Sequence, residues 1–580
     1  MSTVAYDQTV RADIANFAAE IDKYLAGQLT DDGFRAIRLR RGIYSQRQTG
    51  VQMVRTKIPG GIMTAEQMDV LAEIATNYAA GKSHLTTRQN VQFHFVPLRQ
   101  VTELLGRLAD VRLTTREACY NTVRNVTASP TAGLFADEVF DISPYVRTTA
   151  LAFLHQELTD NMPRKFKIAF FAGGAKDDAA TGMHDVGLTA KLVDGQKGFH
   201  MVVGGGLGPI PMESQVLDEF IPAERLINRI EAVIRVFNTY GNRKNKNKAR
   251  LKFILRDRGW TWVKEEIEKN YADILANGGL ATPVEIPEGF GGYRSEAPAP
   301  GEGKLLPILG QTAVDPVLDR WLETNVREQK QAGYSVVTIR CDQGNLTDVQ
   351  MRGLANIARD AGDGLIRVGI DQNLMLGFIP VANLNRVYAA LKALDLARAG
   401  AGEIEDITTC PGAYSCNLAL TKSMNLGAAL SETVSAYSDP AIRKLSIKIS
   451  GCPNSCGQHW LADLGFFGNS KKIDGREVPY YQMMLGGGLD KDGMLRYAFT
   501  TQSIPAKLAP VAVQRVLNHY LSDRRKTESF RDYVLRNKVE FFRGLTFDLY
   551  KPSELQPEMY QDWGDTVDYS LQLGKGECAA

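Results

Sequence analysis

Cysteine is scarce in this chain: seven residues in 580, too few to staple a disulfide scaffold. Long hydrophobic runs are absent too. No apolar stretch approaches the roughly 18 residues of a membrane-spanning helix, and mean hydropathy is −0.21. A polytopic membrane protein is excluded, and no membrane partner is expected. Neither charge sign prevails. Lysine and arginine number 68 against 66 acidic residues, a net charge of +2. That argues against bulk nucleic-acid binding and leaves room only for local basic patches. The opening residues, MSTVAYDQTVRADIANF, lack a basic segment followed by an apolar one, so no export signal is read there and a cytoplasmic chain is expected. Dinucleotide fingerprints are missing as well. GGGLG (Gly204 to Gly208) and GGG (Gly486 to Gly488) lack the GxGxxG spacing and read as turns, so neither a flavin nor a nicotinamide domain is expected. Asp160 and the histidines show no metal-ligand spacing. What remains is ordinary globular composition, 44% hydrophobic and 23% charged, with length for a few folding units of roughly 100–200 residues each.

The chain does have an internal repeat. TAEQMDVLAEIATNYAAG from Thr64 recurs as TDVQMRGLANIARDAGDG from Thr347, a shift of 347 − 64 = 283. The same shift takes Gln89-Asn90 onto Gln372-Asn373, Pro97 onto Pro380, and Ile221-Pro222-Ala223 onto Ile504-Pro505-Ala506. VVGGGL from Val202 recurs as MLGGGL from Met484, shifted by 282. Thr64 with Gln67, and Thr347 with Gln350, fit capping boxes at helix starts. Leu71, Ile74, Ala75 and Tyr78 then follow the spacing of a buried helical face, as do Leu354, Ile357, Ala358 and Ala361. Gly81 and Gly362 suit the helix ends. Strand-like MVRTKI precedes the first helix and NVQFHFV follows it, with a second helical stretch near Val101–Leu108.

This order implies an α+β protein, internally duplicated, with helices layered on mostly antiparallel sheet. The expected units are an N-terminal extension (1–45), a first module (46–115), a larger domain (116–285), a linker (286–325), a second module (326–400), a second larger domain (401–545) and a C-terminal tail (546–580). The linker centres on the Gly- and Pro-rich stretch from Glu288 to Gly310.

Four cysteines fall in two tight pairs: Cys410 and Cys416 in TTCPGAYSCN, Cys452 and Cys456 in SGCPNSCGQ. Four unrelated core thiols would not each sit beside proline and small residues. A zinc site usually closes on C-x2–4-C pairs, which the five-residue gap fits poorly. Thiolates from loops suit an iron–sulfur cluster better.

Cys-x5-Cys followed by Gly-Cys-Pro-Asn-x-Cys-Gly resembles the signature of the sirohaem-dependent sulfite and nitrite reductases. Thr87-Arg88-Gln89-Asn90-Val91-Gln92-Phe93 and Pro163-Arg164-Lys165-Phe166-Lys167 resemble the same family, over about Leu39 to Gly544. The resemblance implies two pseudo-twofold-related halves with ferredoxin-like modules. It implies a [4Fe-4S] cluster on Cys410, Cys416, Cys452 and Cys456, with Cys456 shared with a sirohaem iron. Sirohaem carries eight carboxylates, and from Gly33 to Ala65 there is no acid, while Arg35, Arg38, Arg40, Arg41, Arg47, Arg55 and Lys57 all occur. On strand alternation, Arg88, Asn90, Gln92 and His94 form one polar row, and Val91, Phe93 and Phe95 the core-facing one. By resemblance Arg88, Gln92, Arg164, Gln372, Asn373 and Asn454 reach the macrocycle. Arg55, Arg124, Lys165 and Lys167 meet the substrate oxyanion, neutralising it and supplying protons.

The activity so implied is six-electron reduction of sulfite to sulfide, with nitrite to ammonium as the alternative. Electrons are expected from a separate protein, a ferredoxin before an NADPH-linked flavoprotein. Lys167, read as lysine in the sulfite enzymes and asparagine in plant-type nitrite enzymes, points to sulfite. Cys119, five residues before Arg124, is expected near the substrate, while Cys341 and Cys578 carry no argument. The run Asn242 to Lys252 reads as a solvated helix start. The rival from another class is an iron–sulfur or zinc scaffold using that run to bind an acidic partner.

Overall fold

A computed structural model of the chain describes residues 3–283, 285–293, 316–490, 493–550, 552, 554–574 and 577. Its centre is a pair of five-stranded sheets that exchange one strand each. The first runs Ile43–Ser45, Val51–Arg55, Val91–Pro97, Lys82–Leu85, and ends on Asn345–Thr347 from the other half. The second runs Val326–Glu328, Tyr334–Ile339, Leu374–Pro380, Leu365–Val368, and ends on Ile62–Thr64 from the first half. Thr347 pairs with Lys82 and Thr64 with Leu365, two contacts related by the 283-residue shift.

Each exchanged strand leads into the helix announced by its capping box. In Ala65–Tyr78 and Asp348–Ala361 the cap threonine accepts from the backbone of the glutamine three residues on, and the glutamine returns the bond. The two helices pack against one another, and Leu71, Ile74, Leu354 and Ile357 lie in one core shared by both modules. Burying each such side chain stabilises by about 1.5–3 kcal/mol. Gly81 takes positive φ just after the first helix; Gly362 caps the second as expected, in extended backbone at φ −120° with its N–H on Ala358 O, and Gly364 takes the positive φ there.

Two further sheets flank this centre, each with its own core. One runs Gln215–Pro222, Gln196–Val203, Val186–Val193, Ile168–Phe171, Thr127–Ala128, and the other Thr408–Thr409, Ile447–Ser450, Leu464–Ile473, Arg476–Leu485, Phe499–Pro505. The short strands pair in parallel and the long hairpins antiparallel, so the flanking sheets are mixed.

The ends of the chain are part of the fold. Helices Thr3–Leu25 and Asp31–Arg40 cover the first module through Phe17, Ile21 and Phe34. The region expected as linker holds the turn Phe290–Gly292, buried beside Ile62, and helix Pro316–Asn325; its middle lies outside the described residues. The C-terminal tail straps the cysteine loops. The Asp562 carboxylate accepts from Lys422 N at 2.8 Å, Tyr569 Oη donates to Leu420 O at 2.8 Å, and Gly574 N donates to Asn417 O at 3.1 Å.

Candidate active site

The two cysteine loops leave adjacent parallel strands of the second flanking sheet. Cys410 follows Thr408–Thr409 and Cys452 follows Ile447–Ser450. They press together where a Cβ on Gly451 would stand 2.8 Å from Gly412 Cα, so only glycine fits. Cys410 Sγ accepts from Gly451 N at 3.2 Å and lies 3.4 Å from Ser423 Oγ. Burial pushes the Cys410 and Cys452 thiols up, and the neighbouring sulfurs push further: Cys456 on Cys410, and Cys456, Cys410 and Cys416 on Cys452. The four thiols therefore share one neighbourhood, and all four line one cavity. Yet among the described residues no three His, Cys, Asp or Glu side chains close on a single ion. A set of four that surrounds a volume without meeting at a point suits a four-iron cluster, where each thiolate takes its own iron, better than one zinc.

The cavity, partly open to solvent, has about 830 Å³ of empty space, and the first half lines it with Tyr44, Ser45, Gln46, Met53, Arg55, Gln92, His94 and Lys165, while Asn454 lines it from the second. Arg55 and Gln92 face each other across paired strands. With the Gln92 amide oxygen turned toward it, Arg55 Nε donates at 2.8 Å. His94 is buried with neither ring nitrogen partnered, and burial, then His84 and Arg55, hold its pKa down to about 3. Arg124 stands behind Tyr44, donating to Tyr44 Oη at 3.3 Å and to Tyr120 O and Ala118 O. Its loop rests on the fully buried Lys57–Glu117 pair, 3.6 Å apart. Cys119 packs with Tyr44 and Met53, against this wall.

Behind Lys165 lies a knot of cations. Lys167 is half-buried, and its pKa is pushed well down by desolvation, then by Arg88, Arg250 and Lys165. One carboxylate serves the group: Asp185 accepts from Lys167 N at 2.8 Å and from both Arg250 Nε and Nη2, at 3.1 and 2.7 Å. Arg88 lies 2.5 Å from His184 Nε2 and leaves its own Nε unpartnered. Like charges gathered around one aspartate and largely shielded from water are costly. An anionic group carrying many carboxylates relieves them, so this wall fits sirohaem.

The structure departs from the sequence reading in several places. The strand begins at Val91, so Arg88 and Asn90 sit in the preceding turn and do not continue a row. Phe95 is not core: its φ of +64° marks a bulge opposite Gln52 and Val54, Gln46 Oε1 accepts its N–H at 2.6 Å, and its ring meets Tyr414. Gln372 and Asn373 do not reach the cavity. Gln372 donates to Leu85 O at 2.7 Å and accepts from Thr409 N at 2.9 Å, while Asn373 is spent on Cys341 N, Asp371 and Asp406. Both amides pin the halves together and have nothing left to offer a ligand. Arg47 clamps the cysteine loop, through its N–H to Ser415 O and its Nη2 to Ala419 O. Arg164 sits outside the cavity wall, within the field of Lys246. The run from Asn242 is a loop with one 3-10 turn at Lys246–Lys248, and its α-helix starts only at Leu251 (Leu251–Arg258), with Arg250 and Lys252 buried.

Other neighbours escaped the sequence reading altogether. Asp185 had a signal, since its counterpart Asp463 repeats the same bond to Ser446 N. Glu577 had none: its carboxylate lines the cavity, pairs with buried Arg38 and accepts from Ser45 N at 2.9 Å.

Comparison with known proteins agrees with this geometry. The nitrite and sulphite reductase 4Fe-4S domain matches residues 119–275 and 400–552, and the nitrite/sulfite reductase ferredoxin-like half domain matches 44–116 and 327–394. The chain is 30% identical to a ferredoxin–nitrite reductase of Synechococcus elongatus, covering 87% of this chain and 94% of that one. It is 27% identical to a ferredoxin sulfite reductase of Mycobacterium tuberculosis, covering 87% and 88%. Among solved structures, the Mycobacterium tuberculosis NirA protein superposes with a TM-score of 0.74 at 25% identity, covering 90% of this chain and 94% of that one.

Proposed function

Because the chain belongs to the nitrite and sulfite reductase family of oxidoreductases, with that family's 4Fe-4S domain in both halves, we propose that it reduces sulfite to sulfide with electrons from a ferredoxin. The observation that carries this reading is the knot of cations, half-buried Lys165, Lys167 and Arg88 with buried Arg250, beside a cavity lined by four cysteines. Cys410, Cys416, Cys452 and Cys456 would hold the cluster. Gln92 and Asn454 in the cavity wall and Arg88 behind it would meet sirohaem carboxylates, with His94 added to that group and Arg164, outside the wall, left out of it. When bound, these groups supply the iron that takes the anion and the electrons for its reduction.

The protein's own part is charge and protons. Reduction of hydrogensulfite to hydrosulfide and three waters consumes six electrons and six protons. Lys165 and Lys167 are two apart, and Lys167 Nζ is held where its proton is easily given up. An arriving anion reverses that shift, so the amine takes a proton as substrate binds and surrenders it as oxygen leaves. Arg55, held by Gln92 in the cavity wall, presents its guanidinium to the oxyanion, and Arg124 behind Tyr44 adds positive charge to that wall.

Sulfite over nitrite rests on Lys167. Sulfite carries up to two negative charges and nitrite one, so a buried ammonium favours sulfite by about 1–3 kcal/mol. Nitrite reduction to ammonium is the second reading, supported by the relative of that name at 30% identity. Comparing kcat/KM for both anions in the parent and in Lys167→Asn tests the choice. The sulfite value should fall much further than the nitrite value; equal losses would mean that Lys167 serves the cofactor alone.

A further inference from the structure

The basic run from Asn242 to Lys252 belongs to the anion site at one end and stands free at the other. Its entry is pinned to the lysine segment: a Cβ on Gly241 would stand 2.5 Å from Pro163, and Arg243 Nη1 donates to Asn161 O at 2.9 Å. Its exit is pinned there again, because Arg250 shares Asp185 with Lys167 N. Between these ties the Asn242 side chain accepts from Lys244 N and Asn245 N, and Asn245 accepts from Asn247 N, fixing a tight turn. That turn displays Arg243, Lys244 and Lys248 to solvent, with Lys246 half-buried. None of the four forms an ion pair among the described residues, and Lys246 is pressed by burial, then by Arg164 and Arg243. Lys248 lies within the field of one acid, Asp257, at the far end of the run. No Asp or Glu occurs from residue 232 to 256, nor from 161 to 176, so two acid-free stretches are laid side by side.

We propose that Arg243, Lys244, Lys246 and Lys248 form an electrostatic collecting rim that captures the small inorganic oxyanion and passes it to Lys165. A cluster of one sign beside a low-dielectric cleft raises local anion concentration and on-rate without touching the chemical step. The rim is tied at both ends to the segment that carries Lys165 and Lys167, whereas Cys456 of the cluster loops is exposed elsewhere, so the rim's occupant is the substrate anion and not the electron donor. The inference deepens the proposed function and rests on it for the identity of the anion.

The test compares the holoenzyme with Lys244→Gln/Lys246→Gln/Lys248→Gln, using reduced methyl viologen as donor. At low salt kcat/KM for sulfite should fall about three- to tenfold with kcat unchanged. The decline of kcat/KM with added salt should flatten, and the two proteins should converge at high salt. Lys526→Gln, in the other half, should change neither quantity. An unaltered kcat/KM and salt slope would overturn the rim. So would a loss seen only as a raised KM for a reduced ferredoxin, since the run would then dock the donor. Calorimetric titration with sulfite gives the same comparison without turnover. A parent that binds sulfite through these lysines but does not reduce it overturns the assigned reaction and leaves the rim standing.

Discussion

The cysteine cavity has a counterpart on the other side of the pseudo-twofold, and the two are built on one backbone. Arg47 N donates to Ser415 O at 3.0 Å on the cavity side; Lys330 N donates to Leu134 O at 2.9 Å on the other. Cys410 Sγ accepts from Gly451 N, and Ser129 Oγ accepts from Ala172 N. Gln46 holds the bulge at Phe95, and Gln329 holds the bulge at Phe378. The linings differ. Tyr44, Arg55, Gln92 and His94 give way at the 283-residue shift to Arg327, Thr338, Met375 and Gly377. Into the space left by Gly377 goes Leu134, packed with Phe135, Val336, Met375 and Phe378. Lys167 gives way to Ser446, which keeps the bond to a buried aspartate but brings no charge. One scaffold thus carries a thiol-lined cavity bearing Arg55, Gln92, His94 and Lys165 on one side and an apolar plug on the other. Symmetry supplies the frame, and a few side chains decide what it does.

The comparison can be broken most sharply at the cysteines. Cys456→Ser should lose acid-labile sulfide, the haem spectrum and turnover together, while Ser129→Cys should leave iron content unchanged, because Phe135 and Gly173 occupy the neighbouring loop. A Cys456→Ser protein with a full cluster would remove the assignment.

On the plugged side the expected effect is on stability. Leu134→Ala should cost about 2–5 kcal/mol in urea unfolding through the cavity it opens, with bound iron unchanged. A protein that lost iron instead would show that the plug supports the cofactor site directly.

The glutamine clamps should behave alike on both sides. Gln89 donates to Val368 O and Ala128 O, and Gln372 donates to Leu85 O, each also accepting one backbone N–H. Gln89→Ala and Gln372→Ala should each cost about 1–3 kcal/mol by stranding buried backbone groups. The haem bands should stay in place. Shifted bands with unchanged stability in Gln372→Ala would restore it to the cavity.

The smallest effect is a pH slope. Lys252 donates to Leu207 O at 2.8 Å and to Gly206 O and Ile210 O, as Arg531 donates to Gly486 O in the other half. Burial, then Arg250, with Lys165 and Arg256 against Asp185, lowers Lys252 from 10.5 to about 7. Between those values the unfolded chain holds a proton that the folded one does not. Stability is therefore lost as pH falls from 10.5 toward 7, by at most about 1.4 kcal/mol per pH unit. Lys252→Met should lower stability overall and flatten that slope; Arg531→Met should leave the slope alone. An unchanged slope in Lys252→Met would mean that its ammonium stays charged in the fold.

Much of this was legible in the chain because it was written twice or held locally. The capping boxes need only residues three apart, and the repeat named the elements. The cysteine pairs showed their chemistry because thiols beside proline and glycine in loops have few other uses. Gln372 misled the reading because a buried amide serves a backbone carbonyl as well as it serves a ligand, and residue type cannot tell the two apart. Phe95 misled it because a bulge shifts strand parity by one without any signature of its own. The run from Asn242 misled it because helix propensity says nothing about a distant aspartate.

The sequence by itself determined the duplication, the α+β modules, the four-cysteine set and the stretches without acids, since periodicity, turn chemistry and thiol spacing are local properties. Only the tertiary structure decided which cations face the cavity, that Asp185 ties Arg250 to Lys167, that the halves trade strands, and that Glu577 reaches Arg38 from the far end of the chain. Those contacts join residues tens to hundreds of positions apart. They exist because packing brings those residues together in space, and no local rule names the partner.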